Sequence, residues 1–242
     1  EYQDTNTIQE RILLLLAGWR YSRHIQTELE KQRGLRTELT TAKEMLEHKV
    51  QQRTAELESV NRQLETLSIT DELTGLANRR RFDSYWAEEW QRAMRQGTSL
   101  AVIMMDVDHF KNYNDHYGHP LGDECLRQLG ALLQVTIRRA GELAARYGGE
   151  EFVVALPGAT AQQAAETAAA LLAAVEAAHI PHLASPVSNI VTISLGVATG
   201  FPNAGDERGR LITLADEALY PAKHRGRNCI AMTEMTGAPP GT

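Results

Sequence analysis

Residues Arg146-Tyr147-Gly148-Gly149-Glu150-Glu151-Phe152 place two glycines directly before two adjacent carboxylates, and the chain continues as the strand-forming run Phe152-Val153-Val154-Ala155-Leu156. A glycine pair supplies the positive φ of a two-residue hairpin, here expected at Gly148-Gly149. The missing Cβ atoms let a bulky ligand lie against the backbone. Carboxylates on such a turn suit a metal ion and phosphate; an ordinary surface hairpin with solvated charges is the competing reading. Upstream, the apolar run 100–105 leads straight into Asp106-Val107-Asp108-His109-Phe110-Lys111. A buried strand ending in carboxylates sets acid groups at a sheet edge. Mg²⁺ takes a few carboxylate oxygens plus substrate phosphates, which would pair Asp106 with Glu150 or Glu151 on a neighbouring hairpin. Strand alternation would carry Asp108 to the same face as Asp106, but capping of the following turn is the favoured reading for Asp108.

Residues 111–124 are polar and punctuated by glycine, and Cys125, Leu126, Leu129, Leu132, Leu133 and Ile137 then follow helical spacing. Asn114 and Asp123 fall near this boundary. A carboxylate accepts from guanine N1 and N2, and an amide serves the ring acceptors, whereas adenine lacks that paired donor edge. Turn and cap roles are the commoner use of such residues.

Five stretches in order resemble the GGDEF family of diguanylate cyclases: 71–82 (Asp71-Glu72-Leu73-Thr74-Gly75-Leu76 at its start), 106–111, 118–123, 146–152 and 218–228. The resemblance covers roughly residues 68–233, with Glu150 in place of the name-giving aspartate. It implies condensation of two GTP molecules into cyclic di-GMP with release of two pyrophosphates, one GTP being held by each protomer of a facing pair. It further implies two Mg²⁺ (or Mn²⁺) per site, held by Asp106, the Val107 carbonyl, Glu150 and Glu151. Glu150 matches the residue that deprotonates the 3′-hydroxyl, so Asp106, Glu150 and Glu151 are the expected catalytic set. By the same resemblance Lys111, Lys223 and Arg227 contact the triphosphate, Asn114 and Asp123 read guanine, and Phe110, Gly148 and Gly149 belong to the substrate site. Two alternatives stay open: a degenerate module that binds GTP or cyclic di-GMP without turnover, and a purine nucleotidyl cyclase with relaxed product choice.

Two positions depart from the family pattern. Members with product inhibition carry Arg-x-x-Asp shortly before the signature, and Arg139-Ala140-Gly141-Glu142 stands at that distance. The extra methylene of Glu142 is expected to misplace the acceptor and weaken inhibition, leaving Arg139 and Glu142 as a surface ion pair. Pro221 interrupts a stretch expected to be helical, and removes a backbone donor. A kink there would displace Lys223 and Arg227.

The elements that must position these residues follow from periodicity. Asn78 caps a helix through about residue 96, a strand starts near 99, a helix covers 121–139, a hairpin covers 143–156 and a helix covers 160–179. A strand at 190–198 and a helix at 211–225 complete the order. Thr160 and Gln163 form a capping-box pattern. Strand, helix, hairpin, helix, strand is the order of a ferredoxin-like palm, an α/β (α+β) fold with a mixed or antiparallel central sheet. From 25 to 67 the pattern is a heptad, with Ile25, Gln32, Leu39, Leu46, Arg53, Val60 and Leu67 on one seam position and Leu29, Arg36, Lys43, Val50, Leu57 and Leu64 on the other. That spacing predicts a long parallel coiled coil, hence a homodimer, whose register would set how two half-sites face each other.

The expected organisation is a stalk at 1–67, a catalytic domain at 68–233 and a disordered tail at 234–242. A net charge of -6 and a pI near 5.8 argue against a nucleic-acid partner. Two cysteines, Cys125 and Cys229, read as reduced, buried thiols. The apolar run 12–19 is too short to span a bilayer, which takes ~20 residues, and Glu1, Asp4 and Glu10 sit where a leader would be basic. The chain therefore reads as a cytoplasmic enzyme without a membrane segment. Its start at Glu1 suggests a sensory domain upstream.

Overall fold

The structure, a computed structural model, describes residues 69–235 together with 19, 20, 23, 26, 31, 32, 34–36, 39–41, 43–54 and 56. The chain divides into two compact units, Glu1–Leu67 and Ser68–Thr242. In the first, every described residue is helical. Leu39, Leu46 and Val50, all seam positions of the heptad, are exposed on the single chain, as an unpaired coiled-coil helix would leave them. Ile25, Leu29, Leu57, Val60, Leu64 and Leu67 lie outside the described residues. None of the described helices is long and apolar enough to cross a membrane.

The second unit is a mixed six-stranded sheet with helices on both faces. In chain order it contains β1 (Ala77–Asn78), α1 (Arg79–Gln96), β2 (Leu100–Val107), α2 (Phe110–Tyr117) and α3 (His119–Thr136). The hairpin β3 (Leu143–Gly148) and β4 (Glu151–Pro157) follows, then α4 (Ala161–Ala177), β5 (Ile193–Gly200), α5 (Arg210–His224) and β6 (Ile230–Glu234). The strand order is β1-β3-β4-β2-β5-β6. Strand β2 lies between β4 and β5 and is antiparallel to both, which is the ferredoxin-like core that the element order predicts.

Alternation along β2 sorts the core into two layers. Ala101, Ile103, Met105 and Val107 pack with α2, α3 and α4. Leu100, Val102 and Met104 pack with Phe82, Trp86 and Trp90 of α1 and with Leu211, Ala215 and Leu219 of α5. The second layer is close-fitting. At Gly196 of β5 a Cβ would run into the Ala215 carbonyl and the Leu219 amide, so glycine is what lets α5 lie on the sheet.

The predicted caps are present: Asn78 Oδ1 accepts from the Arg81 amide at 2.9 Å, and Thr160 and Gln163 complete a reciprocal capping box. Several boundaries differ. Residues 110–117, read as a polar connection, form α2, because Phe110, Tyr113 and Tyr117 give it an apolar stripe among polar neighbours. Edge strands β1 and β6 carried no readable pattern of their own, the first being two residues long. Strand β6 reaches Glu234, and Met235 beyond it is buried, so the tail expected from 234 overlaps ordered structure; residues 236–242 lie outside the described residues. Both cysteines are free, Cys125 buried and Cys229 half-buried. Burial pushes the Cys125 thiol up to about 12.

Candidate nucleotide and metal site

The C-terminal end of β2 brings the acidic residues together. Asp106 faces Glu151 of β4 across one strand pairing and Ser194 of β5 across the other. The Val107 amide donates to the Glu150 carbonyl at 3.4 Å. Acids from segments more than forty residues apart, Asp106 and Glu150-Glu151, therefore share one end of the sheet. The hairpin turn is Gly149-Glu150, one residue later than the glycine pair suggests, because the β3–β4 register shifts between Arg146 and Gly148. Gly149 takes the positive φ, +51°.

Asp106 is mostly buried, and that burial raises its carboxyl above the usual carboxylate range; Lys223 offsets part of this, and the charges of Glu150 and Glu151 add to it. Even-numbered positions of β2 face α5, and Lys223 Nζ reaches Asp106 Oδ2 at 2.8 Å from that helix. Pro221 does not displace it. Helix α5 runs on to His224, and the Arg225 amide donates to the Pro221 carbonyl at 2.9 Å, so the missing donor falls within the last turn.

Among the described residues, no three His, Cys, Asp or Glu side chains converge as a ready-made metal site. The donor set still fits Mg²⁺, which is commonly held by one or two carboxylates completed by phosphate oxygens and water. Asp106 and Glu151, with Glu150 and the Val107 carbonyl beside them, are the groups that would hold it. Their crowded negative charge favours a cation, and Lys223 supplies one on Asp106.

Arg146 braces the turn from below. Its Nε and one terminal nitrogen donate to the Gly149 carbonyl at 2.9 and 2.8 Å. The other terminal nitrogen reaches both Asp71 oxygens at 3.3 Å. Asp71 also accepts from the Thr74 amide at 2.9 Å and hydroxyl at 2.7 Å. Burial works to raise the Asp71 carboxyl, but the Thr74 bonds and the Arg146 charge outweigh it and hold it below its ordinary value. Neither Asp71 nor Arg146 carries a local pattern that assigns it this role. Their only signal was co-occurrence, since 75 positions separate them.

The expected guanine readers come from α2 and α3. Asn114 Oδ1 is buried without a hydrogen-bond partner and lies against Gly122, where a Cβ would overlap it. Such an orphaned acceptor suits a ligand donor. Asp123, the next residue after Gly122, is exposed, as is Lys111 on α2. Phe110 is buried and stacked on Tyr113 with ring centroids 5.9 Å apart, so it supports the site from inside the core.

Asp108 neither caps α2 nor joins the metal side. The N-cap of α2 is His109, without a side-chain cap bond, and Asp108 is turned into the protein, where its oxygens bond Thr192, Ser194 and Asn228. Arg227 lies beside it, its Nε 4.0 Å from Asp108 Oδ1. Arg139 and Glu142 stand apart from all of these. The Glu142 carboxylate folds back on the Arg139 amide at 3.3 Å, beside a surface cavity of about 410 Å³ that Thr136, Gln163 and Glu166 also line.

A family model described as diguanylate cyclase, GGDEF domain, matches residues 68–229. The chain is 44% identical over 165 residues to the uncharacterized protein YhcK of Bacillus subtilis (strain 168), a match spanning 68% of this chain and 45% of YhcK. It is 37% identical over 162 residues to the diguanylate cyclase DosC of Escherichia coli (strain K12), spanning 67% of this chain and 34% of DosC. The chain thus spans less than half the length of these curated relatives. The solved coiled coil and GGDEF domain of DgcB from Caulobacter crescentus, in complex with c-di-GMP, superposes with a TM-score of 0.62 at 31% identity. That similarity covers 78% of this chain and 99% of the DgcB chain.

Proposed function

Because the chain belongs to the GGDEF family of diguanylate cyclase domains, we propose that it is a diguanylate cyclase, joining two GTP molecules into cyclic di-GMP as a dimer with one GTP per protomer. The observation that carries the reading is the meeting of Asp106 and Glu151 as cross-strand partners, with Lys223 at 2.8 Å on Asp106. Each 3′-hydroxyl oxygen bonds to the α-phosphorus of the other GTP, the bond from that phosphorus to the β-phosphate bridging oxygen breaks, and pyrophosphate departs. Two phosphodiester bonds form and two pyrophosphates leave. Glu150, on the turn, takes the hydroxyl proton and passes it to water. A base in reach of the hydroxyl adds roughly 10²-fold or more.

In-line phosphoryl transfer depends chiefly on positioning and on neutralising charge. Mg²⁺, held on Asp106, Glu150, Glu151 and the Val107 carbonyl, would supply Lewis-acid stabilisation of phosphoryl oxygens. Lys111, Lys223 and Arg227 bind the triphosphate, and Gly148 and Gly149 let it approach the backbone. Binding of GTP transfers Lys223 from Asp106 to phosphate, so the ion pair of the free protein holds the lysine close to where it is used. Asn114 and Asp123 orient guanine against the α2–α3 corner.

A GTP-binding module without turnover is the competing reading, and the Lys223–Asp106 pair favours it to the extent that a cation already neutralises the carboxylate. One assay separates the two. Incubation with GTP and Mg²⁺ is expected to yield cyclic di-GMP and pyrophosphate, and Glu151→Gln, with its dimer state checked, is expected to abolish product. Bound GTP without product in the wild-type dimer would establish the binding module instead.

A further inference from the structure

Asp108 is among the most buried charges of the described chain, with 1% of its surface exposed. A carboxylate so placed is costly unless donors surround it. Its partners come from two distant segments. Thr192 Oγ1 donates to Oδ2 at 2.8 Å and Ser194 Oγ to Oδ1 at 2.7 Å, both from β5 or the residue leading into it. The Asn228 amide donates to Oδ2 at 3.0 Å from the connection between α5 and β6. The Arg227 guanidinium adds a charge contact at 4.0 Å. These partners occupy both oxygens and commit them to β5 and the connection.

That connection is unusual in its backbone. Gly226 has φ +108°, and the two residues after it, Arg227 at +64° and Asn228 at +47°, are both left-handed without being glycine. Consecutive L residues in that region persist only where their surroundings hold them. Asp108 is the acceptor for the second of them. The Arg227 amide bonds the Ala222 carbonyl at 3.2 Å, one residue before Lys223. The turn is thus fastened to the end of α5 as well as to the end of β2.

We propose that Asp108 is a positioning residue that clamps the 226–228 turn to the end of β2 and thereby presents Arg227, and with it the Lys223 end of α5, to the substrate triphosphate. Asp106 and Asp108, two positions apart, divide the work. The first faces the phosphates; the second faces inward and sets where the cations stand. The functional half of this inference rests on the proposed GTP chemistry, while the structural half does not.

Two measurements test the halves separately. Hydrogen exchange on the nucleotide-free protein reads the clamp. Asp108→Asn is expected to speed exchange of the Asn228 amide by at least about tenfold while amides of the β2 centre stay protected. Binding of a non-reactive α,β-methylene GTP analogue by wild type, Asp108→Asn, Arg227→Ala and the double variant reads the consequence. Each single change is expected to weaken binding at least about tenfold, and the double variant to lose less than the two single losses combined. GMP affinity is expected to be the same in wild type and Asp108→Asn. Unchanged exchange at Asn228, additive losses in the cycle, or equal loss of GMP binding would each overturn the proposal. Should Asp108→Asn fail to fold, Thr192→Val and Ser194→Ala, each removing one donor, are expected to give smaller shifts of the same two readouts, and no shift in either variant overturns it. A wild-type protein that does not bind the analogue refutes the GTP reading, and the exchange result still decides the clamp.

Discussion

At the scale of single residues, three carboxylates show how environment divides one chemistry. Asp106 is raised, first by burial and then by Glu150 and Glu151. Between its unfolded and folded values the folded chain holds a proton that the unfolded chain has lost, so charging Asp106 lowers stability as pH rises through that window. Above the folded value the whole cost is present. Asp106→Asn is therefore expected to lose GTP turnover by at least about 10²-fold while the nucleotide-free protein melts no lower than wild type at neutral pH, checked by product assay and calorimetry. Asp71 has the opposite sign. Its lowered value contributes stability above the ordinary value of 3.8, which is lost as pH falls through the folded one. Asp71→Asn is expected to destabilise the protein at pH 7, with the gap to wild type closing in acid, as read from denaturant midpoints against pH. Glu142 is spent on the Arg139 amide and side chain. Feedback by cyclic di-GMP is accordingly expected to be weak, and potent low-micromolar inhibition in a turnover assay would contradict this.

At the scale of elements, the site depends on how closely helices approach the sheet. Helix α5 delivers Lys223 only because β5 has no side chain at Gly196. Gly196→Ala would push a backbone carbonyl and amide off the sheet, an overpacking expected to cost about 1–3 kcal/mol in unfolding free energy and to lower turnover as well. Gly122 plays the corresponding part between α2 and α3. A methyl there overlaps Asn114 Oδ1, so Gly122→Ala is expected to weaken GTP binding and reduce discrimination against ATP, measured by competition, more than it lowers the melting temperature.

At the scale of the whole molecule, the proposed joining of two GTP molecules would require two sites to face each other, one from each protomer. Heptad seam positions Leu39, Leu46 and Val50 are exposed on the single chain, which favours a partner helix. Specific activity is expected to rise with protein concentration until dimerisation saturates. If the stalk sets the facing geometry, inserting seven residues between Leu57 and Leu67 preserves turnover, whereas inserting four rotates the seam and lowers it severalfold. Equal rates in both insertions would separate the stalk from control of the reaction.

Local signals carried much of this protein. The apolar run of β2, the Asn78 and Thr160 caps, the helical spacing of α1 and α3, and the order of strand, helix, hairpin, helix, strand were legible because each is set within a few residues by backbone geometry. The types of the acidic groups, two after the glycines and one closing an apolar strand, were legible for the same reason. Long-range pairing was not. Helix α2 was hidden because its apolar stripe of Phe110, Tyr113 and Tyr117 is sparse in a polar segment, and β6 was hidden because an edge strand takes its identity from the neighbour it joins. Asp108 resembled a local cap until Thr192, Ser194 and Asn228, drawn from 84 to 120 residues away, took its oxygens. The Asp71–Arg146 brace and the Lys223–Asp106 pair belong to the same class. A sequence specifies which groups are charged and how each segment repeats, but which charge meets which is decided by sheet register and helix packing, where contacts between distant segments outweigh local preference.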